Sequence, residues 1–252
     1  MTPPRSSQVW RHDGMVVRYI DVETLKHETP MLAVGVFEGT ETPSGWLEII
    51  DRALSGAILR VLSSGDFRGK SGEELVLYGP ENTELKRLLL IGLGQPDKFD
   101  SECVRRAAGR AVRVAERMRL GSLSISLDAF SDFDTASTAQ AAAEGAVLAA
   151  WKFRELKTDK STGTSDVTTL DILGSDDAAE VSRAVETGAK IADAANFART
   201  LQSRPGNVAT PVHLAEEAER MAAQVGLDIT VFDERRMLDA VSYTHLTLPT
   251  KA

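Results

Sequence analysis

The sequence predicts an α/β protein whose central sheet is covered on both faces. Short apolar runs alternate along the chain with segments of helical periodicity, and this alternation is typical of α/β architecture. The run RLLLIGLG, residues 87–94, is apolar at consecutive positions. Such a run indicates a strand that is buried on both sides. We find no internal repeat and no low-complexity block.

Seven segments are predicted to be strands, because each is a short apolar run of β-forming residues. They are Met15–Val22, Met31–Phe37, Leu75–Tyr78, Arg87–Gly92, Ser122–Leu127, Thr169–Leu173 and Asp228–Phe232.

The intervening segments carry apolar residues at spacings of three and four, which places them on one helical face. The first face comprises Trp46, Ile50, Leu54, Ala57, Ile58 and Val61. The second comprises Val104, Ala107, Ala108, Ala111, Val112, Ala115 and Met118, and ends at Gly121. The alanine-rich stretch TAQAAAEGAVLAAWKFRELK predicts a closely packed helix, which the polar loop KTDKSTGTSDVTT follows.

A long helix is predicted from about Asp177 to Leu201, and the stretch SRPGNVATP interrupts it. Thr210 is a favoured N-cap and Pro211 suits the first helical position, so another helix is expected to begin there. Its apolar face comprises Leu214, Ala218, Met221, Ala222 and Val225, and Gly226 closes it.

Composition excludes several classes of protein. The chain has 252 residues and a net charge of −8, which disfavours nonspecific binding to nucleic acid or to anionic membranes. A local basic patch remains compatible with that charge. No apolar run is long enough to span a bilayer, and the polar N-terminus has no signal-peptide core. A single cysteine, Cys103, fits a reducing cytosol.

Individual residues offer little chemistry. Cys103 lies near a helix start, where a helix dipole can lower a thiol pKa, yet a packing role is favoured because no histidine partner is evident. The histidines, His12, His27, His213 and His245, show no metal-ligand spacing, and His213 is expected to be solvated.

Two glycine-containing stretches invite an anion-binding interpretation. LIGLGQPD lacks the third glycine of a dinucleotide fingerprint and the lysine of a P-loop, so a turn after a strand is favoured. SSGDFRGKSGE, with Gly65, Gly69, Gly72, Arg68 and Lys70, fits an anion-binding loop or a plain connection equally well. The residues themselves therefore predict no catalytic, cofactor-binding or metal site.

Four stretches in order resemble the leucyl aminopeptidase (cytosol aminopeptidase) family. They are VGVFEGT…LEIIDRALSGAILRVLSSGDFRGKSGEELVLYGP, KRLLLIGLGQPDKFDSECVRRAAGRAVRVA, AAAEGAVLAAWKFRELKTDK and AANFARTLQSRPGNVATPVHLAEEAERMAAQVGLDITVFDERRM. The last is similar to the family's interdomain joint, carried here by Ala198, Arg199, Leu201, Pro205, Asn207, Thr210 and Pro211. The resemblance runs from about Val16 to Met237.

The resemblance implies a macro-domain-like α/β sandwich over residues 15–174, after a flexible N-terminus at 1–14. Residues 175–240 would form a linker helix and the start of a truncated peptidase domain. The tail at 241–252, with VSYTHLTLPT, is interpreted as non-native, translated adapter sequence, and a genuine short strand is the alternative.

The parent protein would then be a cytoplasmic, hexameric hydrolase that releases N-terminal residues, leucine among them, from peptide substrates. Two divalent metal ions, manganese or zinc, would act in its catalytic domain. Their motifs, K-G-x-T-F-D-S-G-G and N-T-D-A-E-G-R, are absent here, and the look-alikes Lys98–Glu102 and Glu81–Arg87 are interpreted as decoys. We therefore expect an inactive, metal-free fragment. The alternatives are a nucleotide- or ADP-ribose-binding module and a DNA-binding regulatory role, of which nucleic-acid binding is disfavoured by charge.

Overall fold

The computed structural model describes residues 10–12, 15–80, 85–130, 133–156 and 166–239. The chain divides into two compact units, Met1–Phe197 and Ala198–Ala252. The predicted α/β class is confirmed. The predicted domain boundary at residues 174 and 175 stays a prediction, and the tail from Val241 lies outside the described residues.

One seven-stranded sheet forms the centre of the first unit. Its strands are β1 (Trp10–His12), β2 (Met15–Asp21), β3 (Leu32–Phe37), β4 (Glu74–Tyr78), β5 (Arg87–Gly94), β6 (Ser122–Ser126) and β7 (Thr169–Gly174). Their spatial order is β1-β2-β7-β6-β3-β5-β4. The five inner strands pair in parallel, whereas β1 and β4 pair antiparallel at the two edges.

The predicted strands agree with the structure in six cases and disagree in one. The six in the first unit are confirmed, with ends shifted by one or two residues. The short edge strand β1 was not predicted. The predicted strand Asp228–Phe232 is wrong, because residues 227–233 form neither helix nor strand. A strand needs a hydrogen-bonding neighbour, and the described part of the second unit contains no other strand.

Seven α-helices are described. They are α1 (Trp46–Ala53), α2 (Ala57–Ser64), α3 (Ser101–Arg117), α4 (Thr135–Ala150), α5 (Ala178–Ser203), α6 (Pro211–Val225) and α7 (Glu234–Asp239). Apolar residues of α3, α4 and α5 pack in one core with β2 and the alternate side chains of β5. Those of α1 and α2 pack in a second core on the opposite sheet face, against the other side chains of β3 and β5. The sheet is thus covered on both faces, as predicted.

The single helix predicted from Trp46 to Val61 is in fact two helices. The chain turns between α1 and α2 at Ser55 and Gly56, which have φ angles of 54° and 77°. The buried Asp51 carboxylate accepts hydrogen bonds from the amides of Ile58 at 2.7 Å and Leu59 at 3.1 Å. Asp51 therefore satisfies the free N–H groups at the start of α2, and the apolar spacing continues across the break.

Replacing Asp51 with alanine should destabilise the first unit by about 1–2 kcal/mol, because two amides at the start of α2 lose their acceptor. Urea unfolding followed by tryptophan fluorescence measures the change. Asp66, whose exposed side chain bonds only to Ser64 through its carboxylate, provides the matched control. Equal stabilities of Asp51→Ala and Asp66→Ala would contradict the capping role.

Two further helix boundaries test the sequence analysis. Thr210 caps α6 by accepting a hydrogen bond from the His213 amide at 3.2 Å, and Gly226 ends it in the left-handed conformation, as predicted. The alanine-rich helix is shorter than predicted, since α4 ends at Ala150. Beyond it Lys152 lies 2.6 Å from Glu116 and 2.9 Å from Asp166, and these ion pairs hold the chain in a non-helical path.

Candidate functional site

One group of polar side chains surrounds the buried carboxylate of Asp171 on β7. Strands β2 and β7 place Arg18 directly beside Asp171 in register. Arg18 donates to the two carboxylate oxygens from Nε at 2.5 Å and from Nη2 at 3.2 Å. The hydrogen bond to Asp171 raises the pKa of the Arg18 guanidinium, and this effect outweighs the lowering of the pKa by burial. The strand pairing thus creates a fixed ion pair on the sheet surface.

His27 completes this group from the segment that follows the short 3-10 turn Thr24–Lys26. Its Nε2 lies 2.8 Å from the second oxygen of Asp171. An aspartate–histidine pair can orient a general base, but the histidine must then reach a nucleophile. The nearby hydroxyls of Thr24 and Ser126 are instead bonded to each other and to Asp128. The arrangement therefore fastens the 24–31 segment to the sheet and offers no catalytic triad.

This cluster was not predicted from the sequence, because Arg18 and Asp171 are 153 positions apart. A signal was nevertheless present. Arg18 is a charged position inside the predicted strand Met15–Val22, and Asp171 is the one charged position of the predicted strand Thr169–Leu173. A charge on a buried strand needs a partner, so the two strands could have been paired on that basis.

The two glycine-containing stretches, interpreted separately from sequence, come together in the structure. The Gly94 amide donates to the Gly69 carbonyl at 2.9 Å, and a Cβ at Gly92 would lie closer than 3.0 Å to the Lys70 carbonyl oxygen. The Glu73 carboxylate accepts from the amides of Arg68 at 2.8 Å and Lys70 at 3.2 Å. The loop amides that could hold an anion thus already bind a carboxylate of the same chain.

Four phenylalanines occupy the edge of the sheet where open α/β folds usually bind ligands. The chain leaves β3 for one face and β6 for the other, which makes the carboxyl ends of these neighbours the topological switch point. Phe37 ends β3, Phe99 follows β5, and Phe130 and Phe133 follow β6. The Phe99 ring centroid lies 5.4 Å from Phe37, 5.5 Å from Phe130 and 4.1 Å from Phe133. Packed rings therefore take the place of polar ligand-binding groups.

We accordingly expect no binding of ADP-ribose by the 252-residue chain. The loop amides that could bind its phosphates are already bonded to Glu73. The phenylalanine rings would occupy the place of its ribose. Isothermal titration calorimetry with ADP-ribose at about millimolar concentration should show no heat beyond the heat of dilution. Binding too weak to be seen at that concentration would have no useful affinity. Saturable heat with ADP-ribose, absent with adenosine alone, would contradict this expectation.

Cys103 does not have the properties of a reactive thiol. Burial raises its pKa, the opposite of the lowering that a catalytic thiolate requires. Its Sγ lies 3.8 Å from the Lys98 carbonyl oxygen. Asp100, within the look-alike Lys98–Glu102, caps α3 by accepting from the Cys103 amide at 2.9 Å, and the backbone hydrogen bond there lowers the Asp100 pKa. Of the look-alike Glu81–Arg87, residues 81–84 lie outside the described residues.

The histidines lie in separate parts of the chain. Within the described ranges, no group of three or more histidine, cysteine, aspartate or glutamate side chains could hold a metal ion. His245 lies outside those ranges, and His12 belongs to β1. The expectation that His213 is solvated is wrong. Its Nε2 lies 2.8 Å from Arg204 Nη1, and its side chain is only 23% exposed.

In the second unit, Arg204 links the joint before α6 to the helix itself. Its Nη1 also donates to Glu217 at 2.9 Å, and Arg220 contacts the other Glu217 oxygen at 2.7 Å. Burial raises the pKa of Glu217, but the two arginines together outweigh burial and lower it. The charged residues of the joint thus stabilise the turn from Pro205 to Thr210.

The fold is that of an α/β protein with a single sheet whose inner strands are parallel. Its described part contains no cluster of reactive side chains. Residues 33–160 match the family model described as "Cytosol aminopeptidase family, N-terminal domain". Because this match covers half of the chain, the chain belongs to the cytosol aminopeptidase family, as the sequence resemblance indicated.

Curated relatives are similar along most of this chain. The "Probable cytosol aminopeptidase" of Thermosynechococcus vestitus is 37% identical over 209 residues, covering 81% of this chain and 41% of that protein. The protein of the same name from Alkaliphilus oremlandii is 32% identical over 211 residues, covering 82% and 42% respectively. The chain therefore spans about two fifths of the length of these relatives.

Two solved structures share the fold. A tomato leucine aminopeptidase mutant has a TM-score of 0.79 at 22% identity, over 92% of this chain and 47% of that chain. The bottromycin maturation enzyme BotP, in complex with Mn, has a TM-score of 0.63 at 22% identity, over 83% and 39% respectively.

Proposed function

We propose that this chain is the N-terminal part of a leucyl aminopeptidase, a metallo-exopeptidase that releases N-terminal residues from peptides, with leucine preferred. The observation that supports it is the family match over residues 33–160, together with relatives named as cytosol aminopeptidases. We further propose a cytoplasmic, hexameric parent. Within the described ranges no helix is long and apolar enough to cross a membrane.

The catalytic metals of the parent are proposed to be two divalent ions, manganese or zinc. BotP, which shares the fold, was solved in complex with Mn. The described residues of this chain do not fit such a centre, because they contain no cluster of ligand side chains. The carboxylate of Asp171 is the most buried candidate ligand in the polar group around β7. It is already bonded to Arg18 and His27.

We therefore assign catalysis to a domain that the longer relatives possess in addition to the matched region. The role of the first unit in this proposal is structural. It supplies a rigid sheet and helix scaffold, and α5 leads from that scaffold to the joint at Pro205–Thr210. The 252-residue chain alone is proposed to be inactive as a peptidase.

A leucyl chromogenic amide tests this proposal. The purified 252-residue chain should release no chromophore above background with Mn²⁺ or Zn²⁺, because its described residues contain no cluster of metal ligands to activate water. A hybrid in which residues 15–237 replace the matching region of the Thermosynechococcus vestitus relative should hydrolyse the substrate, and a chelator should abolish that activity. The unmodified relative is the positive control.

Two outcomes would contradict the proposal. Chelator-sensitive hydrolysis by the 252-residue chain itself would show that it contains a metal site. A folded hybrid without activity would show that residues 15–237 do not serve as the N-terminal part of such an enzyme. Reading the source DNA across codon 240 on an unfragmented template tests separately whether VSYTHLTLPTKA is native.

A further inference from the structure

Helix α3 carries an exposed face of arginines although the whole chain has a net charge of −8. Arg106, Arg110, Arg113 and Arg117 are exposed and follow one another at spacings of four, three and four. These spacings place them on one side of the helix. We call these four residues the arginine face.

Local acidic residues neutralise only the ends of the arginine face. Arg106 contacts Glu102 at 3.0 Å, and Arg117 contacts Glu74 of β4. Among the described residues, neither Arg110 nor Arg113 has an ion-pair partner. Two adjacent guanidinium groups thus remain available at the centre of the arginine face.

The arginine face lies beside the open edge of the sheet. Arg117 reaches Glu74 at the start of β4, and a Cβ at Gly72, just before β4, would lie 3.0 Å from Arg110 Nη2. Arg113 lies between these two on the helix. Strand β4 is the last strand of the sheet and pairs with β5 alone.

The backbone of β4 has hydrogen-bonding groups that point away from β5. The Gly92 amide donates to the Glu73 carbonyl, and the Gly79 amide donates to the Lys86 carbonyl. Antiparallel pairing alternates residue by residue, so the peptide groups of Glu74, Val76 and Tyr78 face outward. Such an edge can accept an additional strand.

We propose that β4 and the arginine face together bind an extended acidic peptide segment. The segment adds to the sheet beside β4 through main-chain hydrogen bonds, a known mode of peptide recognition. Its carboxylates on one side meet Arg110 and Arg113. Same-face side chains of a strand are about 7 Å apart and Arg110 and Arg113 are about 4.5 Å apart along the helix, a difference that their long side chains can span.

The observations favour a peptide over a nucleic acid as the partner. Only a polypeptide can form a ladder with the peptide groups of β4. The net charge of −8 also repels a long polyanion, whereas a short acidic segment interacts mainly with the nearby arginine face. This site uses no residue of the proposed peptidase function and does not depend on it.

The test measures fluorescence anisotropy of a labelled peptide of alternating glutamate and valine with the full 252-residue chain. We expect saturable binding that weakens as salt rises, because exposed charge pairs are screened. Arg110→Glu combined with Arg113→Glu should weaken binding about tenfold. Arg183→Glu combined with Lys190→Glu, two exposed residues on α5, gives the same net charge and should leave binding unchanged.

A second probe, N-methylated on alternate peptide nitrogens, separates strand addition from simple charge attraction without altering the protein. It should bind at least tenfold more weakly, since methylation removes the ladder donors. Equal binding of both probes, or no binding of either, would overturn the proposal. Stronger binding of single-stranded DNA of equal charge, lost in the arginine double variant, would assign the surface to nucleic acid instead.

Discussion

Replacing Gly145 with alanine should destabilise the first unit by about 3 kcal/mol or more, although alanine is the better helix former. Gly145 lies within α4, where the exchange alone would stabilise by about 1 kcal/mol. A Cβ at this position, however, would lie closer than 3.0 Å to the carbonyl oxygen, carbonyl carbon and Cα of Arg105 on α3. Backbone atoms cannot rotate away, so the two helices must separate and expose part of the core.

Gly109 provides a graded control at the same helix contact. A Cβ there would lie 3.3 Å from the Gly145 carbonyl oxygen, which requires only a small displacement. Gly109→Ala should therefore change the free energy of unfolding by less than about 1 kcal/mol, because helix propensity offsets the crowding. Urea unfolding followed by fluorescence measures both variants, since all three tryptophans lie in the first unit. Equal effects at the two glycines would contradict the close-contact argument.

Local sequence patterns predicted those elements whose cause is also local. The apolar run of β5 identified a buried strand, because a short run of consecutive apolar residues is typical of a strand with both faces covered. Thr210 and Pro211 identified the start of α6, because the capping hydrogen bond joins residues three positions apart. The family resemblance, now confirmed, added that the chain carries the N-terminal domain of the cytosol aminopeptidase family.

Features that depend on the folded path of the backbone or on a neighbouring segment could not be predicted in this way. The apolar spacing of Trp46–Val61 continues across the turn at Ser55 and Gly56, so periodicity alone indicated one helix where the structure has two. The run Asp228–Phe232 has the composition of a strand but no neighbour in the described chain. In the same way, the environment of His213 depends on Arg204, whose proximity results from the turn between them.

The candidate site illustrates the same limit in chemical terms. The glycine loop with Arg68 and Lys70 showed an anion-binding composition, yet only the folded backbone shows that Glu73 accepts the loop hydrogen bonds. The group around Asp171 brings together three segments of the chain. Its members could have been paired only by asking where a charge on each buried strand finds a partner.

Replacing Asp171 with alanine should destabilise the first unit by about 2–4 kcal/mol. The side chain of Asp171 is 9% exposed, and its removal leaves both Arg18 and His27 without their acceptor. Loss of one member of a buried ion pair costs about 3–5 kcal/mol, but Arg18 is 36% exposed and can regain water, which reduces the cost. Urea unfolding of the variant measures it.

Asp171→Asn should recover about half of that loss, because the amide oxygen still accepts one hydrogen bond while the charge is removed. Glu186, which forms an exposed ion pair with Lys190 on α5, is the control, and Glu186→Ala should cost less than about 0.5 kcal/mol. The double variant Arg18→Met with Asp171→Ala should be more stable than Asp171→Ala alone, since no unpaired charge then remains on the sheet. Additive losses in the double variant would show that Arg18 and Asp171 do not stabilise each other, and the 24–31 segment would then have to be held by other contacts.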